Sequence, residues 1–169
     1  MAVAAFRRRF GSVWRVPATH RPRKVPSSPG SVTNDFRYHV AHHDAQEATV
    51  DNPRDLARLT ADVLDTKKGI DIALLDVGDL LQITEVFVIA TGTSRPHVKT
   101  LAETVEEKLK EIGRRPLRSE GEAEAEWVLL DYGDIVVHVF QPEPRDYYGL
   151  ERLWGDAPRL AWQPATSEA

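Results

Sequence analysis

Apolar residues recur at helical spacing in two segments of the chain. The first segment starts at Asn52 and Pro53, a helix cap followed by a first-turn proline, and stops at Gly69. The second starts at Pro96 and stops at Gly113. The apolar positions are Leu56, Leu59, Val63 and Leu64 in the first segment and Val98, Leu101, Val105, Leu109 and Ile112 in the second. This spacing predicts two amphipathic helices, each with one face toward a core.

Short apolar runs between and after these helices are typical of strands. They cover residues 72–77, 86–90, 127–130 and 135–140. Residues 131–134 form a turn by composition, and Pro142 and Pro144 end the last strand before a final helix over residues 146–154. The predicted order is helix, two strands, helix, the two strands of a hairpin, helix. We therefore expect an α/β (α+β) fold, with one mixed sheet flanked by helices in a single small domain.

Charge is distributed unevenly over the 169 residues, whose formal net charge is −4. Residues 51–160 hold 22 acidic and 14 basic side chains. A domain this acidic is a poor candidate for gripping nucleic acid through its phosphates, so near RNA we expect it to contact a protein. The chain has no cysteine, which excludes disulfides and thiolate metal sites.

Residues 1–50 are basic and rich in proline, and we predict a disordered extension ahead of a domain at 51–160 and a polar tail at 161–169. Residues 1–24 contain no acid and seven bases, namely Arg7, Arg8, Arg9, Arg15, Arg21, Arg23 and Lys24. Three interpretations stay open: an organelle-targeting peptide, a basic tail, or a leader upstream of the true start. The bacterial cytoplasm is the predicted location, with an organelle matrix as the alternative. The cluster of His39, His42, His43 and Asp44 suggests a metal site, but a solvated loop is the commoner explanation.

Three features suggest chemistry, and each has a structural interpretation beside it. Gly92-Thr93-Ser94, between a buried strand and a helix, can cradle a phosphate, and Ser94 is equally suited to cap that helix. Asp131 and Asp134 could hold a divalent ion, although aspartates commonly form turns. His138 is either a proton shuttle or, more commonly, a hydrogen-bonded structural histidine. A nucleotidyltransferase-like enzyme would need two or three close carboxylates, and no Asp-x-Asp pair follows the second helix.

A set of short motifs runs in a fixed order between residue 51 and about residue 160. They are the strand 72–77, residues 83–90 (ITEVFVIA), 91–94 (TGTS), a helix containing Val98, Glu120-Gly121, residues 127–139 (WVLLDYGDIVVHV) and 147–154 (YYGLERLW). Each motif alone is weak, but in this order the set resembles the ribosomal silencing factor family, also called the Iojap family. Glu85 stands where the family usually has Asp, and residues 1–50 have no counterpart in the family pattern.

The resemblance implies a fold similar to nucleotidyltransferases, without an established transferase activity. It implies binding to the large ribosomal subunit through ribosomal protein L-fourteen, with steric exclusion of the small subunit. Translation would be repressed in this way, and a part in large-subunit biogenesis is also implied. Such a mechanism needs no catalytic residue, cofactor, metal or sequence-specific contact to nucleic acid. A homodimer that covers the binding face until the partner arrives is compatible with it.

Five residues form the predicted partner-binding site: Trp127, Phe140, Tyr148, Leu153 and Asp131. Trp127 opens an edge-like strand after a run of acids, so we expect a partly exposed ring that anchors an interface. The alternative is a Trp that closes the sheet against a helix, and the resemblance favours the interface. Tyr148 also resembles a partner-contacting position of the family, whereas Trp154 is predicted to lie in the core. We expect Trp127→Ala or Tyr148→Ala to weaken binding and leave the fold intact.

Overall fold

The computed structural model describes residues 51–81 and 83–164, so the predictions for residues 1–50, including the histidine cluster, lie outside the described residues. The strands of its one sheet are β1 (Ile70–Asp76), β2 (Val86–Thr91), β3 (Arg118–Glu120), β4 (Trp127–Asp131) and β5 (Ile135–Phe140). The helices are α1 (Pro53–Thr66), α2 (Arg95–Glu111), α3 (Pro142–Tyr148) and α4 (Leu150–Leu153). In this part of the chain no helix is long and apolar enough to cross a membrane.

The five strands form a mixed sheet in the order β1-β2-β5-β4-β3. Strands β2 and β5 run parallel, and every other neighbouring pair is antiparallel. The mixed sheet, the flanking helices and the α+β class predicted from the sequence are confirmed.

Both faces of the sheet are covered, because successive residues of a strand point to opposite sides. Val86 and Val88 of β2 belong to one core with Leu56 of α1 and Leu101 of α2. Phe87, between those two valines, belongs to a second core with Leu150 and Trp154. All six residues of β2 are therefore buried, as expected of an interior strand. Trp154 lies in the core, as predicted.

The chain after α4 closes one edge of the sheet. The Asp76 backbone N–H donates to the Pro158 carbonyl over 2.8 Å, and the Leu160 N–H donates to the Leu74 carbonyl over 3.0 Å. Trp162 packs against the first core and donates its indole N–H to Asp62 Oδ1 over 2.8 Å. The segment predicted as a polar tail thus begins with residues that contact the domain, and the short strand β3 is left at the opposite edge.

The final helix differs from its prediction. Instead of one helix over residues 146–154, the structure has two short ones, and α3 begins at Pro142. Proline is favoured at the first helical position, because its missing N–H has no partner there in any helix. Gly149 lies between the helices with a φ of 54°, a left-handed conformation that ends α3.

Candidate functional site

Trp127 lies in an interior strand and is completely buried, with 0% of its surface exposed. Its ring stacks on Phe140 and is covered by Tyr148, with both pairs of ring centroids 4.6 Å apart. Gly121 runs so close to this strand that any side chain there would collide with the Trp127 carbonyl oxygen. The prediction of a partly exposed Trp127 on an edge-like strand is therefore wrong, because β3 and the turn after it lie beside β4.

A pocket of about 620 Å³ opens beside Trp127, where β4 begins and β5 ends. Its lining consists of Arg95, Glu126, Trp127, Gln141, Glu143, Pro144, Asp146, Tyr147 and Tyr148. Tyr147 is 69% exposed, and its ring meets that of Tyr148 edge to face at 5.2 Å. We call this site the aromatic pocket. It presents a large exposed aromatic ring on a floor of packed aromatic rings.

The aromatic pocket is acidic as well as aromatic. Its charged lining residues are Arg95 and three carboxylates, Glu126, Glu143 and Asp146. Arg95 pairs with Glu126 over 2.6 Å, and the other two carboxylates make no ion pair with any described residue. The uncompensated negative charge favours a cationic partner surface.

His138 lies in the packed layer beneath the aromatic pocket. The Trp127 indole N–H donates to His138 Nδ1 over 3.3 Å, so Nδ1 is the acceptor and the ring is neutral. Burial lowers the pKa of His138 from 6.5 to about 3. The ring also meets Phe87 edge to face at 5.0 Å. These contacts agree with the interpretation of His138 as a structural histidine.

The structure brings three of the five predicted site residues together and places the other two, Asp131 and Leu153, outside the pocket. The Trp127 ring stacks on Phe140 and meets the ring of Tyr148 at an angle of 47°. Asp131 lies at the other end of β4, four residues or roughly 13 Å along the strand. Its Oδ1 accepts the Gly133 N–H over 2.9 Å, which is the role of a turn residue. Leu153 packs, half-buried, against the second core and does not line the pocket.

Tyr147 is the most exposed aromatic side chain of the pocket, and its sequence context predicted no role for it. The tyrosine pair Tyr147-Tyr148 was visible as part of a motif. Which ring would face solvent depends on how α3 sits on the sheet, and the sequence of a seven-residue helix with no buried residue does not specify this.

The polar groups of the Gly92–Ser94 turn form hydrogen bonds within the domain. The Thr93 N–H donates to His97 Nδ1 over 3.0 Å, and Ser94 Oγ accepts the His97 N–H over 3.3 Å as a helix cap. Because Nδ1 accepts, Nε2 carries the proton and donates to the Lys67 carbonyl over 2.8 Å. A side chain at Gly92 would collide with Val98, so this glycine allows α2 to pack closely on the end of β2. The contacts support a helix cap rather than a phosphate cradle.

The carboxylates of Asp131 and Asp134, the candidate site for a divalent ion, also have partners within the domain. Arg114 forms an ion pair with Asp134, while Asp131 caps the turn. Within the described residues, no group of three or more His, Cys, Asp or Glu side chains is placed to hold a metal ion. In this structure the carboxylates of Asp131 and Asp134 therefore serve a turn and an ion pair.

Comparison with known proteins gives consistent matches to one family. Residues 50–169 match a family model described as "Ribosomal silencing factor during starvation". A Chromobacterium violaceum protein named ribosomal silencing factor is 45% identical over 102 residues, which cover 60% of this chain and 84% of that protein. A mouse protein named mitochondrial assembly of ribosomal large subunit protein 1 is 32% identical over 87 residues, 50% of this chain and 38% of that one. A crystal structure of a Chromobacterium violaceum protein superposes with a TM-score of 0.60 at 39% identity, covering 69% of this chain and 97% of that chain.

Proposed function

We propose that this chain, which belongs to the ribosomal silencing factor family, represses translation by occupying a face of the large ribosomal subunit. The proposed contact is ribosomal protein L-fourteen, and the bound domain would sterically block the small subunit. The name of the mouse relative supports a large-subunit partner and a part in its biogenesis. The bacterial relative supports action in a bacterial cytoplasm, with an organelle matrix as the alternative.

The aromatic pocket is the proposed contact surface, and the exposed ring of Tyr147 is the observation that carries this assignment. A 69% exposed aromatic residue beside Tyr148, on a floor formed by Trp127, supplies large apolar area on a rigid support. A few such anchors provide most of the affinity of an interface that buries about 800 Å² per partner. In this proposal Tyr147 and Tyr148 contact the partner, while Trp127 and Phe140 hold them in place.

The charge of the pocket supports a protein partner. Glu143 and Asp146 would repel RNA phosphates and attract lysine or arginine side chains. The excess of acids over residues 51–160 acts in the same direction. Binding of Leu153 and Asp131 to the partner stays a prediction, and the proposed contact does not depend on either residue.

Tyr147→Ala and Tyr148→Ala are each expected to weaken binding to purified large subunits about tenfold, because each removes an aromatic anchor worth roughly 1–2 kcal/mol. Co-sedimentation of the full chain with large subunits through sucrose gradients, over a range of protein concentrations, measures the effect. Leu117→Ala is the matched control, since Leu117 is an exposed apolar residue, at 76%, that does not line the pocket. Equal binding by both tyrosine variants and the wild-type chain would assign the contact to another face.

The steric mechanism is tested in the same gradients by adding small subunits and restoring magnesium. The wild-type chain should reduce the fraction of joined ribosomes, and the tyrosine variants should do so only at about tenfold higher concentration. If the chain binds large subunits and joined ribosomes form normally, silencing by steric exclusion is wrong even though the binding face is right.

A further inference from the structure

A second concave surface, away from the aromatic pocket, is strongly acidic. It has a volume of about 510 Å³ and lies where the start of α1, the loop between β1 and β2, and the β4–β5 turn meet. Four carboxylates line it, with Arg54 as the only base among its lining residues. The carboxylates are Asp76, Asp79, Glu85 and Asp134. We call this surface the acidic groove.

Two carboxylates of the acidic groove lack an ion-pair partner within residues 51–81 and 83–164. Arg54 donates from Nε and Nη2 to Asp76 Oδ2 over 2.9 and 2.8 Å, and Asp134 pairs with Arg114. Asp79 and Glu85 are exposed and form no ion pair with any residue that the structure describes. The hydrogen bond from Arg54 to Asp76 is the main reason that the pKa of Arg54 is raised, and the nearby charges of Glu85 and Asp79 add to it. The negative charge of the groove can thus attract further cationic side chains.

The acidic groove also offers an apolar contact. Ile83 is 54% exposed and lines it. An exposed β-branched side chain in a groove that is also lined by carboxylates matches a segment that combines basic and apolar residues.

The chain itself contains such a segment in the sequence that precedes the domain. The described residues begin at Asp51, and Arg54, three residues later, already lines the groove. Residues 7–24 hold seven bases and no acid, interspersed with Phe10, Val13 and Trp14. The 26 residues between Lys24 and Asp51 can span up to roughly 90 Å, which is far more than the groove requires.

We propose that the basic segment, residues 7–24, binds the acidic groove of its own domain. Tethering favours this occupant over a free peptide, because a linker of this length gives an effective concentration near the millimolar range. Opposite charges at short range provide the attraction, and salt weakens it, because the Debye length falls to about 3 Å at 1 M. The inference is independent of the proposed ribosomal function.

A spin label on the basic segment of the full chain tests this proposal. The chain has no cysteine, so Ser12→Cys provides a unique attachment site for a nitroxide. At low ionic strength, the amide NMR signals of Gly78, Asp79 and Glu85 should be broadened at least twofold more than those of Glu143 and Tyr147 in the aromatic pocket. This preference should disappear in 1 M sodium chloride.

Two charge variants separate the acidic groove from general attraction to an acidic domain. Asp79→Lys with Glu85→Lys should abolish the preferential broadening, and neither change breaks an ion pair in the described structure. Glu107→Lys with Glu124→Lys changes the net charge equally at exposed positions outside the groove, and should leave the broadening unchanged. Broadening that survives the first pair of changes, or that maps to another face, would overturn the proposal.

Mixing spin-labelled chains without ¹⁵N with unlabelled ¹⁵N chains identifies the occupant. Binding within one molecule predicts no broadening in the mixed sample. Broadening of the groove signals in the mixture would show that the segment of a second copy binds there, and the intramolecular proposal would be wrong.

Discussion

Trp127→Ala is expected to lower the free energy of unfolding by about 3–5 kcal/mol. The ring is completely buried, stacks on Phe140 and lies under Tyr148, so its removal leaves a cavity that these neighbours cannot fill without moving. The loss also deprives His138 of the indole N–H that it accepts. Urea unfolding of the full chain at neutral pH, followed by circular dichroism, measures the change. The complete burial of the ring thus argues against the expectation that this substitution leaves the fold intact.

Two control variants test whether the loss of stability comes from removing a buried ring. Tyr147→Ala removes an exposed ring and should change stability by only about 0.5 kcal/mol. Trp127→Phe keeps an aromatic ring on Phe140 and should lose less than the alanine variant. Consequently, lost ribosome binding by Trp127→Ala would not locate the interface, since a destabilised domain binds poorly for any reason. An unchanged denaturation midpoint for Trp127→Ala would instead indicate a ring that does not support the core.

The error over Trp127 arises from a strand that has no hydrophobic pattern. Strands β2, β4 and β5 were predictable, because their apolar runs are buried from both faces of the sheet. Strand β3 consists of Arg118, Ser119 and Glu120, all polar and half-buried, and it exists through its pairing with β4. Since edge strands are often short and polar, local composition does not reveal them. Because β3 is missing from the predicted sheet, β4 lies at the edge of that sheet.

The end of the domain shows how one residue serves two elements. Pro142 follows the end of a strand, as predicted, but proline is equally suited to start a helix, and here it does both. Gly149 then divides the predicted helix, and its left-handed φ is a property of the turn rather than of the apolar pattern. Helical spacing alone does not separate two short helices from one longer helix.

The convergence of Trp127, Phe140 and Tyr148 follows from hairpin geometry. The first residue of β4 pairs with the last residue of β5, and α3 starts immediately afterwards. The same register places Asp131 beside the turn, at the far end of both strands. The relative positions of these residues could therefore be predicted from the sequence, whereas the exposure of Tyr147 depends on how α3 packs on the sheet.

His138 is expected to make the domain lose stability as the pH falls from about 6.5 toward 3. Its folded-state pKa is lowered to about 3 by burial, so between these values the unfolded chain binds a proton that the folded domain excludes. Stability from this group is complete above pH 6.5, and between pH 7 and pH 4 the loss amounts to about 3 kcal/mol. The rings in contact with it, Trp127, Phe87 and Phe140, carry no charge that could stabilise an imidazolium by ion pairing. Urea unfolding at a series of pH values measures the slope.

His138→Gln isolates this contribution from other acid effects. Protonation of the carboxylates in ion pairs, such as Asp134 with Arg114, also destabilises the domain at low pH, but it does so in both proteins. Glutamine keeps an acceptor for the Trp127 indole and does not titrate, so the difference in unfolding free energy should shift by about 3 kcal/mol in favour of the variant between pH 7 and pH 4. A difference that stays constant over this range would mean that His138 is protonated as readily in the folded domain as in the unfolded chain. In that case water would reach the layer beneath the aromatic pocket. A rigid floor for Tyr147 and Tyr148 requires a packed layer, so the same titration tests the support of the proposed contact surface.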